Sequence, residues 1–269
     1  MIFKLKRKIL FSLLGLSYGL FSYYFFGGWW NSSVGSLLII FFSYLIWDQD
    51  FLKSIGLRFR FKTVLKSIML AVAVTICALL IMKYIAGRHN VLIKFTNWRN
   101  YYHDIFYILN EEIVIGAILL FTLVNKRKIR PIIASIGLAV FFSLIHFVFY
   151  KWMMRDRGIL EITTLLTLFF VGFVRNSLIL WTGHIGYSWA LHFGWMVIMF
   201  GSMHIVLDTN LRVTEPDRFN LYLGSIEMLI ISIIIAGLSL VYWIKKVQPT
   251  TVYTSCGFAS SELPSVGSV

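Results

Sequence analysis

Cysteine is nearly absent from this chain. Its two thiols, Cys77 in an apolar run and Cys256 in a polar tail, suggest neither a disulfide framework nor a thiolate metal site. Charge is also scarce, at 14% of residues, where a soluble domain carries about 25%. No nucleotide-binding loop, Ser-His-Asp arrangement, Cys-His nucleophile or internal repeat is apparent. The charged start, Met1 to Lys8, resembles a signal peptide, but no small-x-small cleavage site follows it, so it reads as the entry to an uncleaved first span.

Apolar side chains are abundant. They make up 58% of the residues, with a mean hydropathy of +0.78; a soluble domain holds about 45–50%. The chain therefore reads as an all-α integral membrane protein. The net charge of +13 raises nucleic acid as a partner. However, the cations are grouped between apolar runs, which fits positive-inside topology and anionic lipid instead. Segment 51–62 interleaves aromatic and basic residues and connects two spans, so an interfacial stretch with snorkelling cations is expected there.

Runs of about 17–25 apolar residues are long enough to cross a bilayer. About eight are expected, at 9–26, 33–49, 64–86, 105–124, 132–150, 159–181, 185–207 and 221–244. On alternate sides these leave 15 Lys and Arg against 9, which puts both termini in the cytoplasm. A polytopic membrane domain is expected over 1–246, and a disordered tail rich in Ser, Thr and Gly over 247–269.

Two adjacent carboxylates, Glu111 and Glu112, fall inside the fourth expected span. Each costs about 2.5–3.5 kcal/mol at membrane depth. His146 in the fifth span, Arg175 and Asn176 in the sixth and His192 in the seventh are the other polar groups at depth. Glu161 and Glu227 fall near span ends, where an interfacial place is expected. The bland readings are a hydrogen-bonded packing role for a lone intramembrane His and simple charge neutralisation for Arg175. A buried carboxylate pair is harder to dismiss. Neighbours on a helix point about 100° apart, so one glutamate is expected to face a cavity while the other supports it. A buried glutamate can take a proton from water, a His can share that water, and a second His can donate to a developing oxyanion. Glu, Glu, His and His also form a conceivable divalent-metal set, but their order and spacing fit no standard zinc motif, and no cofactor is expected.

Three short motifs in order carry a resemblance: Glu111-Glu112-Ile113-Val114-Ile115-Gly116, Phe142-Ser143-Leu144-Ile145-His146 and His192-Phe193-Gly194-Trp195-Met196, the last preceded by a Thr182-Gly183 turn. Over about residues 100–200 the chain resembles the CPBP family of type II CAAX prenyl endopeptidases and bacteriocin-processing or Abi-like proteins. The resemblance implies an eight-helix intramembrane protease. Glu111 would be the general base with His146 assisting, His192 would stabilise the oxyanion and Glu112 would support the site. The substrate would be a membrane-associated peptide or protein of prenyl, bacteriocin-leader or other type. Two positions depart from the family pattern: Gly116 stands where the motif has Arg, and Met196 where it ends in Asn. Arg175, from another helix, is a candidate for the missing cation.

Two other classes compete with the protease. One is a catalytically degenerate family member acting in immunity or in a membrane complex. The other is a proton relay or transporter, against which the lack of an inverted repeat counts. The central expectation is that Glu111, Glu112, His146 and His192 converge on one cavity.

Overall fold

The computed structural model describes residues 29–47, 51–57, 60–88, 92–95, 100–149, 162–199, 205–208 and 223–246, together with Leu10 and Leu14. The first expected span, apart from Leu10 and Leu14, the tail from 247, Glu161 and Cys256 lie outside the described residues.

The described chain is a helical bundle. Helix α1 is Trp29–Trp47, α2 is the single turn Phe51–Ser54 and α3 is Phe61–Arg88. A short strand β1, Leu92–Phe95, precedes α4, Asn100–Glu111, which continues as π-helical turns over Glu112–Leu119 and Thr122–Lys126. Then come α5, Pro131–Phe149; α6, Ile162–Thr182; α7, Ile185–Met199; strand β2, Ile205–Asp208; and α8, Ile226–Lys246.

Among the described residues, four helical stretches are long and apolar enough to cross a membrane: Phe61–Arg88, Ile105–Asn125, Ile162–Thr182 and Ile226–Lys245. Ser33–Leu45 and Pro131–His146 are shorter apolar helices. Burial ranks the long ones. The most apolar windows of Ile105–Asn125 and Ile162–Thr182 are each 61% buried, against 17% for Phe61–Arg88 and 28% for Ile226–Lys245. The two spans that carry Glu112 and Arg175 are therefore central, and α3 and α8 are peripheral.

The packing follows side-chain size. Along α3, Leu65, Met69, Val72, Ile76 and Leu80 are exposed, while Ser67, Ala71 and Ala78 are buried. The small face meets α7, the neighbour α3 touches most. With little hydrophobic drive between helices in lipid, small residues gain contact by letting backbones approach. A Cβ on Gly194 of α7 would lie 2.7 Å from the Ala71 carbonyl oxygen.

Two expectations need correction. The seventh span, expected over 185–207, ends as a helix at Met199, and the chain then enters β2, which pairs antiparallel with β1 from Leu92↔Asp208 to Phe95↔Ile205. A short apolar run cannot be divided between helix and strand by hydropathy, because its partner is distant in sequence. The 51–62 segment is also more deeply built in than an interfacial stretch. Ile55 is fully buried, and the Gly56 carbonyl accepts from the Ile185 N–H at 2.9 Å. Its basic end, with Arg60, Phe61 and Lys62, is exposed.

Candidate active site

The glutamate pair sits where α4 gives way to the wider π-helical turn that starts at Glu112. Such turns are rare and recur at functional sites. Gly116 lies in this segment, where a Cβ would be 2.6 Å from Ile179 Cδ1 and 3.1 Å from Glu112 Oε2. The missing side chain allows α6 to approach the Glu112 carboxylate.

Glu112 is wholly buried, with an assigned contact for each oxygen. Oε2 takes the Ser188 hydroxyl at 2.5 Å, a proton shared with the Ile185 carbonyl at 2.9 Å. Oε1 lies 3.0 Å from His192 Nδ1 and 3.6 Å from Arg175 Nη1. Opposite a carboxylate, the imidazole Nδ1–H donates.

Glu111 is also buried, with Oε2 3.8 Å from His192 Nε2. Both carboxylates therefore face one ring, although adjacent helix positions diverge. An imidazole carries its nitrogens on different edges, so a single ring can present one to each glutamate.

His146 reaches the site from α5. Its Nδ1 lies 2.7 Å from the Phe142 carbonyl oxygen one turn back. Donating there leaves Nε2 as the accepting nitrogen. His146 interacts electrostatically with Glu111, His192 and Arg175. The buried Phe142 ring stands among these groups: its centroid is 4.3 Å from that of His146, 5.7 Å from that of His192 and 4.2 Å from the Arg175 guanidinium carbon. The structure thus gathers Glu111, Glu112, His146 and His192, with Arg175 beside them. Arg175 is fully buried and does not face lipid.

Sequence reasoning passed over Ser188. Its signal was spacing: Ser188 and His192 are four residues apart and share a helix face. Phe142 had appeared only as a motif letter. The turn before α7 has Gly183 at φ +63°, with the Thr182 hydroxyl accepting from the His184 N–H at 3.2 Å. Met196 lies in an apolar cluster with Tyr107 and Ile108. Glu227, expected near an interface, opens α8 and pairs with the exposed Arg88 at 2.5 Å. Among the described residues, no group of three His, Cys, Asp or Glu side chains is placed to hold a metal ion.

Residues 102–198 match the family model for Rce1-like proteins, described as type II CAAX prenyl endopeptidase Rce1-like. This stretch is similar to the Rce1-like family. The match spans α4 to α7 and contains all three motifs, so the CPBP resemblance is shown over the stretch where it was read. No curated protein and no solved structure matches the chain.

Proposed function

We propose that the protein is an intramembrane endopeptidase that uses a glutamate-activated water to hydrolyse a peptide bond of a membrane-associated peptide. The observation that carries this reading is the His192 ring set between two buried carboxylates, with Nδ1 3.0 Å from Glu112 and Nε2 3.8 Å from Glu111, within the stretch similar to the Rce1-like family.

In this mechanism Glu111 removes a proton from water, with the accepting edge of His146 sharing it. The water oxygen bonds to the scissile carbonyl carbon. His192, neutral at rest with its Nδ1–H held by Glu112, takes the water's proton from Glu111 on Nε2 and offers the resulting Nε2–H to the oxyanion. The tetrahedral intermediate collapses, the C–N bond breaks and the proton taken from water passes to the leaving amine. A preorganised donor in a water-poor site needs no reorganisation as the oxyanion forms. The surrounding bundle would complete eight spans, with both termini in the cytoplasm, as the basic-residue bias supports.

The test is cleavage of a farnesylated CAAX peptide by the full-length protein in lipid vesicles. Glu111→Ala and His146→Ala are each expected to lose cleavage by about 10²–10⁴-fold, the usual worth of general acid–base catalysis. Full activity in either folded variant would sink the assignment.

A further inference from the structure

We propose that Arg175 is a positioning residue for this chemistry: acting through Glu112, it sets the orientation and proton placement of the His192 ring, and so joins α6 to α7 across the π-helical turn. The proposal rests on the hydrolytic reading for its purpose, but its geometry is independent of it.

Arg175 and Glu112 are both 0% exposed. A charge so placed is costly unless something uses or neutralises it. Among the described residues, Arg175 Nε and Nη1 have no hydrogen-bond partner, and at 3.6 Å Nη1 stands just beyond hydrogen-bond distance of Glu112 Oε1. The guanidinium therefore acts as a nearby charge and not as a bidentate clamp. Its place is set from two other sides: the Phe142 ring lies 4.2 Å beneath it, and Nη2 reaches Asn176 Oδ1 at 3.5 Å. Asn176 is itself tied to α5 through the Ser135 carbonyl at 3.0 Å.

The decisive detail is which oxygen receives the charge. Ser188 occupies Oε2, while Arg175 and His192 Nδ1 both approach Oε1. The guanidinium thus supports the very acceptor that holds the imidazole proton. Without it, Glu112 would lose its counter-charge in a dry site and protonate or turn. Nδ1–H would lose its acceptor, and the Nε2 edge facing Glu111 would change tautomer or direction. An imidazole in the wrong tautomer is catalytically poor even when its position is kept. Gly116 belongs to the same arrangement, because its lack of a side chain lets α6 pack against Glu112.

The experiment is nitrogen NMR of the histidine-labelled full-length protein in detergent, with the His192 signal assigned as the one lost in His192→Gln. Wild type and Arg175→Lys are expected to show the Nδ1–H form, and Arg175→Met a mixed or opposite tautomer. Because Arg175→Met leaves Glu112 uncompensated and can unfold the chain, the pair Glu112→Gln and Glu112→Gln/Arg175→Met is measured as well. With both charges gone the double variant should fold, and its His192 signal should match that of Glu112→Gln alone, the non-additivity expected of residues acting through one another. In parallel, Arg175→Met should lower kcat on the farnesylated CAAX peptide by about tenfold or more with KM little changed, and Arg175→Lys should recover most of it. An unchanged His192 signal in folded Arg175→Met, or an equal shift in the Glu112→Gln background, would overturn the proposal. If His192 follows Arg175 while wild type cleaves nothing, the positioning role stands and the protease reading falls. If wild type cleaves and His192 ignores Arg175, the reverse holds.

Discussion

Glu112 shows how a carboxylate is kept in a bundle interior. Ser188 donates to one oxygen, and His192 donates to the other beside the Arg175 charge. Replacing Ser188 by alanine would leave Oε2 without its donor, and a buried polar atom stripped of its partner costs about 1–3 kcal/mol. Ser188→Ala is expected to lower the thermal unfolding midpoint in detergent and to reduce cleavage less than Glu112→Ala does. An unchanged midpoint would mean that the hydroxyl serves only the Ile185 carbonyl. The acidic and imidazole groups were legible in the sequence because ionisable residues stand out in apolar runs. Ser188 was not, because a serine four residues before a histidine is unremarkable until a carboxylate from another helix is set against it.

Among the elements, the α6–α7 junction aligns the site. Arg175 and Asn176 lie before it, and Ser188 and His192 after it. Gly183 makes the turn at φ +63°, a conformation that costs a residue with a Cβ about 1–2 kcal/mol. Gly183→Ala should destabilise the protein by about that amount and impair cleavage. Gly237 in α8 supplies the contrast, since a Cβ added there would meet nothing within 4 Å. Gly237→Ala should gain about 0.5–1 kcal/mol from helix propensity. Matched unfolding curves distinguish the two, and equal shifts would deny Gly183 a special role. The Thr182-Gly183 turn was visible in the sequence because turn chemistry is local. The π-helical turn from Glu112 was not, because hydropathy is indifferent to whether a carbonyl bonds four or five residues ahead.

For the molecule as a whole, the buried pair of central spans and the exposed apolar faces of α3 and α8 describe a protein that has lipid as its solvent. Leu238 on α8 is 66% exposed, and a lysine there would face acyl chains at a cost of about 2.5–3.5 kcal/mol. Leu238→Lys is expected to reduce the membrane-inserted fraction without altering cleavage per inserted molecule. A fall in specific activity at normal insertion would show that this face packs against something other than lipid. The Arg88–Glu227 pair, whose arginine is 59% exposed, should matter little: Arg88→Gln should change stability by less than about 1 kcal/mol.

The amino-acid sequence determined the class of this protein through bulk and local terms. Continuous apolar length requires a bilayer, and acids or imidazoles that survive at depth require an interior use. Even the positions of most helices follow from those rules, since a helix satisfies its own backbone. Only the tertiary structure decided which groups meet. It set His192 between both glutamates, brought Arg175 to the Glu112 oxygen shared with His192, and ended α7 early in favour of a strand paired with β1. Each of these joins residues distant in sequence, and their geometry depends on helix rotation and approach, which side-chain packing sets and no local pattern records.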